Sequence, residues 1–123
     1  MKSSYTGFMR ILKAFSYSFS GFVSAFKSEV AFKQDLVVFI IGTFFAVYLP
    51  FSFVEKSFLI STLLLILLME LTNTAIETIV DRISPEYHDL SKKAKDIGSL
   101  LVLLSFINAF LIWGTLIYQT FFR

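Results

Sequence analysis

The sequence predicts an all-α integral membrane protein, in which an interfacial amphipathic helix at the N-terminus precedes three transmembrane helices. Of the 123 residues, 56% are hydrophobic, 16 are Phe and only 16% of the chain is charged. A soluble domain of this size could not bury so much apolar surface, because small domains bury the smallest fraction of their surface. The apolar residues form continuous runs without the alternation typical of a membrane β-barrel. Soluble globular, disordered and fibrous proteins are therefore excluded.

The N-terminal segment, about 6–30, has the spacing of an amphipathic helix. Apolar residues recur at steps of three and four from Phe8 to Val30, and Lys and Ser side chains occupy the other face. We expect one helix, or two helices broken near Gly21, lying in the membrane interface. Packing on a soluble partner is the alternative, but the first span follows directly and favours the membrane.

The positions of the charged residues predict the three transmembrane helices. The stretches 36–54 and 97–122 contain no charge, and each is long enough for the roughly 20 helical residues that cross a hydrocarbon core. The apolar run 57–69 is too short to span alone and continues through two acids, Glu70 and Glu77. The predicted organisation is a single membrane domain, 1–123, with transmembrane helices at about 31–49, 55–81 and 95–121.

The basic residues predict the orientation of the chain. Five precede the first span, one follows it, four follow the second span and one ends the chain. Because basic loops stay in the cytoplasm, the N-terminus and the second loop are expected there, and the C-terminus outside. The basic residues counted are Lys2, Arg10, Lys13, Lys27 and Lys33, then Lys56, then Arg82, Lys92, Lys93 and Lys95, and finally Arg123.

Polar residues of the second span lie along one face of its helix. Glu70, Asn73, Glu77 and Asp81 are spaced by three, four and four residues and share one stripe that runs toward the cytoplasmic surface. A carboxylate inside a membrane is costly and therefore indicates function. The oxygen ligands suit Mg²⁺, and the deepest acid, Glu70, suits a general base. The alternative is that the stripe only joins helices by hydrogen bonds.

Glu29 is the only acid of the N-terminal segment, and it lies near the membrane surface. There it is placed to join Glu77 in a metal site, although an ion pair with Lys33, four residues on, is the alternative. A zinc site is not expected, because the chain has no Cys and one His.

The loop after the second span, 82–96, mixes bases and acids. Lys92 and Lys93 are explained by topology and by attraction to anionic lipid, whereas Lys95, beside Asp96, is a candidate phosphate contact. None of the five glycines forms a P-loop, a Rossmann turn or a protein-kinase glycine loop. A nucleotide would therefore bind in some other way.

These residues resemble the prokaryotic diacylglycerol kinase family, which are small integral membrane lipid kinases unrelated to soluble kinases. The resemblance rests on E-L-T-N-T-A-I-E-T-I-V-D at 70–81, E-Y-H at 86–88 and A-K-D at 94–96. It extends to T-G-F-M-R at 6–10 and E-V-A-F-K-Q-D at 29–35, and so covers nearly the whole chain.

The resemblance implies a homotrimeric bundle in the bacterial inner (cytoplasmic) membrane, with active sites between neighbouring subunits. It implies transfer of the γ-phosphoryl group of MgATP to diacylglycerol, which gives phosphatidic acid for phospholipid metabolism. In the family pattern Glu70 is the proton acceptor, Asn73 is its polar support, and Glu29 and Glu77 hold Mg²⁺. The implied ATP contacts are Arg10, Tyr17, Glu29, Glu77, Glu86, Tyr87, His88, Lys95 and Asp96. The implied lipid contacts are Arg10, Ala14, Phe15, Ser16, Tyr17, Ser18, Phe19, Ala31, Phe32, Lys33, Gln34, Asp35, Lys56, Glu70, Ser99 and Trp113.

The sequence departs from the family pattern at lipid contacts and not in the acid stripe. Ser20, Val23 and Phe26 stand where basic residues and Trp are usual, and Lys56 stands where Arg is usual. An undecaprenol kinase of the related Gram-positive branch is the nearest alternative, but the stretch 90–99 is closer to the diacylglycerol branch. A non-enzymatic ion-binding or scaffold protein is the alternative from another class.

Overall fold

The computed structural model describes residues 6–123, and within that range it is entirely helical with no strand. Lys2, which the topology argument counts, lies outside the described residues. By length and composition, the last three helices can each cross a membrane, so the all-α membrane fold class is confirmed. The helices are α1 (Gly7–Ser28), α2 (Val30–Tyr48), α3 (Phe53–Ile83) and α4 (Asp89–Phe121).

The first helix continues through Gly21, so of the two expected alternatives the single unbroken helix is confirmed. The break lies at Glu29, whose extended backbone (φ −116°, ψ 110°) separates α1 from α2. The end of α1 is held by packing, because Ala25, Phe32 and Leu67 form a small core where α1, α2 and α3 meet. A glycine without a packing requirement does not by itself interrupt a helix.

A turn at residues 49–52 joins α2 to α3 and is closed by hydrogen bonds. The Ser52 hydroxyl accepts a bond from the backbone N–H of Glu55 (3.1 Å), and the Glu55 carboxylate accepts one from the N–H of Ser52 (2.8 Å). This reciprocal pair is a capping box. The Lys56 ammonium donates to the carbonyl of Val47 (2.8 Å) at the end of α2, where the helix dipole favours a cation.

A second core joins α2, α3 and α4 near this turn. Ala46, Phe51 and Leu59 are buried there, and side chains of α4 pack against them. The indole N–H of Trp113 donates to the hydroxyl of Thr62 (2.9 Å), which is 1% exposed. The indole nitrogen of Trp113 and the hydroxyl of Thr62 therefore have hydrogen-bond partners inside the bundle.

The connection between α3 and α4 is shorter than the predicted loop, 82–96. Only residues 84–88 lie outside the helices. Helix α4 begins early because Nδ1 of His88 accepts a hydrogen bond from the N–H of Leu90 (3.1 Å) and caps the helix. The charged residues predict where the chain leaves the membrane, but the helix itself continues beyond that point. Three basic residues that were expected in the loop therefore lie on α4: Lys92, Lys93 and Lys95.

Helix α3 is the central helix and packs against both α2 and α4. Its buried residues include the polar Thr62, Glu70 and Asn73. Helices α2 and α4 keep most of their apolar side chains on the surface of the single chain. In a membrane protein that surface is available to lipid or to further chains.

Candidate active site

Carboxyl groups from three segments approach one another where α3 faces α2 and the start of that helix. Glu70 of α3 and Asp35 of α2 are 7% and 8% exposed, and their carboxyl groups lie close enough to act on each other. Glu77, further along α3, and Glu29, at the break between α1 and α2, lie close enough for their charges to act on Glu70. A cation would stabilise this concentration of negative charge.

Asn73 links the buried part of the site to Glu77. Its Nδ2 donates a hydrogen bond to Glu77 Oε1 at 2.9 Å, one turn along α3. Asn73 is 8% exposed, and within residues 6–123 its Oδ1 is buried without a hydrogen-bond partner, as is Oδ2 of Asp35. A buried oxygen without a donor costs free energy, and such atoms occur where a structure serves a ligand or a reaction.

The residues present fit Mg²⁺ bound together with a phosphate. The part of the chain that the structure describes contains no cluster of three or more His, Cys, Asp or Glu side chains able to hold a metal ion. Mg²⁺, however, commonly takes one or two carboxylates and completes its octahedron with water and substrate phosphate oxygens. Asn73 engages one oxygen of Glu77, and Glu29 approaches from a different segment. Two carboxylates thus match a magnesium–phosphate site and not a closed protein cage.

A groove of about 420 Å³ lies at the end of the bundle beyond Glu77, between the end of α3 and the start of α4. Two ion pairs lie in it: Lys95 Nζ meets Asp81 Oδ1 at 2.7 Å, and Lys92 Nζ meets Asp96 Oδ2 at 2.5 Å. The structure therefore gathers here most of the nucleotide contacts that the resemblance implies. Those lining the groove are Glu86, Tyr87, His88, Lys95 and Asp96.

Hydrogen bonds give the short connection of this groove a defined shape. The Tyr87 hydroxyl donates to Asp89 Oδ1 at 2.9 Å, and this bond raises the pKa of the Tyr87 phenol above its usual value. The backbone N–H of Glu86 donates to the Ser84 hydroxyl at 3.1 Å. His88 is engaged as the cap of α4, a structural task that composition did not indicate.

The predicted lipid contacts lie in separate places within one chain. Phe32 is 1% exposed and belongs to the core between α1 and α2, whereas Asp35 lies beside Glu70. Lys56 is ~21 Å along α3 from Glu70 at 1.5 Å per residue, and Trp113 lies with it near the α2–α3 turn. Apart from these, the contacts on exposed or half-buried surface are Arg10, Ala14, Phe15, Ser16, Tyr17, Ser18, Phe19, Ala31, Lys33, Gln34 and Ser99.

Two contacts of the site carry no sequence signal. Asp81 pairs with Lys95 across the α3–α4 connection. Gly98 of α4 is buried directly against Asn73. Both contacts depend on how α3 and α4 pack, and the spacing of residues within either helix does not contain that information.

Comparison with known proteins adds independent findings. The family model described as prokaryotic diacylglycerol kinase matches residues 16–117. The Diacylglycerol kinase of Escherichia coli (strain K12) is 40% identical over 121 residues, which are 98% of this chain and 99% of that protein. The Diacylglycerol kinase of Pseudomonas aeruginosa is 41% identical over 112 residues, or 91% of each chain. The Diacylglycerol kinase of Haemophilus influenzae is 36% identical over 113 residues, or 92% of this chain and 96% of its own.

Proposed function

The chain belongs to the prokaryotic diacylglycerol kinase family, and from that membership we propose that it phosphorylates diacylglycerol with ATP and yields phosphatidic acid. The observation that carries the proposal is the position of Glu70. This buried carboxyl lies between the apolar surfaces of the bundle and the polar groove at its end. A lipid hydroxyl and a nucleotide phosphate can meet there, and phosphoryl transfer depends chiefly on such positioning and on neutralisation of charge.

In the proposed reaction, Glu70 accepts the proton of the lipid hydroxyl as the hydroxyl oxygen attacks the γ-phosphorus. The bond between the γ-phosphorus and the bridging oxygen breaks, and ADP leaves. The burial of Glu70 beside a second buried carboxyl group, that of Asp35, supports a role for Glu70 as the proton acceptor. Glu29 and Glu77 would hold Mg²⁺, which would supply positive charge for the phosphate oxygens. Asn73 orients Glu77 and is not itself a proton acceptor.

We place the nucleotide in the groove at the α3–α4 connection. Lys95 offers a cation and Tyr87 a phenol there, close to the end of α3 that carries Glu77. Because the ion pairs of Lys92 and Lys95 are exposed, they are weak and a phosphate can displace their carboxylates. Arg10 and Tyr17 of α1 complete the proposed set from the exposed N-terminal helix.

The proposed setting is the inner (cytoplasmic) membrane of a bacterium, with the N-terminus and the groove in the cytoplasm and the C-terminus outside. The distribution of basic residues supports this orientation. The embedded parts proposed are shorter than the helices, at about 31–49, 55–81 and 95–121 of a single domain, 1–123. Segment 6–30 lies in the interface, and the carboxyl groups then lie at headgroup depth.

The experiment that tests the function is ATP-dependent labelling of lipid. The purified protein in detergent is given labelled ATP and Mg²⁺ with diacylglycerol, and in parallel with undecaprenol. We expect labelled phosphatidic acid and little labelled undecaprenyl phosphate. Stronger labelling of undecaprenol would instead assign the chain to the related branch, and no transfer to either lipid would favour a non-enzymatic membrane protein.

We further propose a homotrimer in which each site draws residues from two chains. Glu70 is buried within one chain, but Glu77 is only half-buried there, and a charge left exposed to lipid is costly. The wide apolar surfaces of α2 and α4 support contact with further copies. The scattered lipid contacts are also easier to bring together between chains.

Mixed assemblies test the shared site. Glu70→Gln protein and Lys95→Leu protein, each inactive alone, are dissociated, mixed and reassembled. We expect partial recovery of activity, because some sites then combine an intact Glu70 with an intact Lys95 from different chains. Variants combined after reassembly serve as the control. Verified mixed trimers that stay inactive in every pairing of Glu70→Gln with Glu29, Lys95 or Asp96 variants would place the site within one chain.

A further inference from the structure

Gly98 lies in α4 at the point where this helix packs against Asn73 of α3. It is buried, and a Cβ built on it would lie 3.6 Å from the Cα of Asn73 and 3.2 Å from its Cγ. The same Cβ would lie closer still to Asn73 Oδ1, at a separation that real side chains do not show. The group in the way is the side-chain amide of Asn73, which is short and has less freedom to move aside than the end of a long side chain; the Asn73 Cα, at 3.6 Å, would be in ordinary contact.

The Asn73 side chain is held between two contacts. On one side its Oδ1 occupies the volume that a Cβ on Gly98 would need, and on the other its Nδ2 donates to Glu77 Oε1 at 2.9 Å. A methyl group at Gly98 would force the amide to rotate or α3 to move away from α4. Either movement would break or lengthen the hydrogen bond to Glu77.

We propose that Gly98 is a positioning residue for the metal–nucleotide site, an inference that rests on the proposed function. Because Gly98 has no side chain, Asn73 can occupy the space beside it and orient Glu77. A glycine inside a helix costs about 1 kcal/mol relative to alanine, so Gly98 weakens α4. The close approach of Asn73 explains why a glycine stands at this position.

Two other helical glycines provide matched controls. A Cβ on Gly114, in the same helix, would meet nothing within 4 Å. A Cβ on Gly42, in α2, would lie 2.6 Å from Leu63 Cδ1, which is a tight contact away from the carboxyl groups. Gly114→Ala thus reports the change in helix propensity alone, and Gly42→Ala reports a packing clash outside the site.

The test measures Mn²⁺ binding, as a paramagnetic substitute for Mg²⁺, to the purified protein with a non-hydrolysable ATP analogue. We expect Gly98→Ala to weaken Mn²⁺ binding by roughly tenfold or more, the effect typical of lost support behind a metal ligand. Gly114→Ala and Gly42→Ala should bind Mn²⁺ as the wild type does. Equal losses in Gly98→Ala and Gly42→Ala would assign Gly98 to packing alone and overturn the proposal.

A double variant tests whether Gly98 acts through Asn73. Asn73→Ala removes the amide and also frees the space that an alanine at position 98 would need. If the proposal holds, Asn73→Ala/Gly98→Ala binds Mn²⁺ as Asn73→Ala does, so that the two losses do not add. Additive losses overturn it. The double variant also replaces Gly98→Ala as the decisive sample if that single variant fails to fold.

The proposed function and this inference fail in different ways. A wild type that binds Mn²⁺ with the analogue but labels no lipid would contradict the kinase assignment, while the glycine series would still decide the role of Gly98. A wild type that binds no Mn²⁺ would overturn the inference, even if lipid were labelled.

Discussion

The two ends of α3 are built in opposite ways. Toward the α2–α3 turn, polar groups are paired within the chain, as in the capping box of Ser52 and Glu55 and the bond from Trp113 to Thr62. Toward the carboxyl cluster, Oδ2 of Asp35 and Oδ1 of Asn73 are buried without a hydrogen-bond partner among the described residues. One further such atom in that range, Oγ1 of Thr43, lies in the second half of α2, on the side of the α2–α3 turn.

The difference separates stability from chemistry along a single helix. A paired polar group contributes about 0.5–1.5 kcal/mol to folding, so changes at the turn should lower stability and leave the reaction intact. The carboxyl groups near Glu70 are like charges held close together, an arrangement that does not favour folding. Changes there should alter the reaction and leave the fold intact, which makes each end a control for the other.

The largest effect is expected for Glu70→Gln. Glutamine keeps the shape of the side chain but cannot accept the proton, so turnover should fall by roughly 10²–10⁴-fold, the range for a lost general base. ATP binding and the assembled state should persist. The assay is lipid labelling with the nucleotide affinity measured on the same sample, and Glu55→Gln at the other end of α3 is the matched control. Near-normal turnover in the Glu70→Gln variant would show that Glu70 is not the general base.

A smaller effect is expected when a proposed metal ligand is neutralised. Glu77→Gln and Glu29→Gln should each raise the Mg²⁺ concentration for half-maximal activity by about tenfold or more and weaken nucleotide binding. Titration of Mg²⁺ at fixed ATP measures both variants against wild type. If one variant has an unchanged Mg²⁺ dependence, that residue is not a ligand.

The smallest effect is expected at the turn. Ser52→Ala removes the hydroxyl that accepts from the N–H of Glu55, and loss of such a cap costs about 1 kcal/mol. Unfolding by denaturing detergent should therefore begin earlier, while turnover per folded protein stays at the wild-type value. A loss of turnover at equal folded fraction would show that the two ends are coupled.

The fold class and the acid stripe could be predicted because both depend on patterns within one segment. Charge-free runs predicted the spans, and the spacing of Glu70, Asn73 and Glu77 placed them on one face of a helix that the structure confirms. The division into spans and the roles of these residues stay predictions. The buried position of Asn73 and its bond to Glu77 agree with the supporting role expected of it.

The rest depended on contacts between segments or on a few local bonds. The extended residue Glu29 lies beside the predicted boundary near residue 30, but the core of Ala25, Phe32 and Leu67 next to it depends on contacts between three helices. The early start of α4 depends on one hydrogen bond to His88. The approach of Gly98 to Asn73 depends on how two helices cross, which periodicity within either helix does not encode.

A connection at residues 49–52 is short enough to make α2 and α3 a helical hairpin, and this bears on how the chain enters a membrane during synthesis. Helix α3 carries Glu70 and Glu77, which oppose insertion, whereas α2 is apolar on nearly every side. Because the turn is closed by its capping box, we expect the two helices to enter a membrane together as a hairpin. The favourable transfer of the apolar part of α2 would then offset the cost of burying the acids of α3.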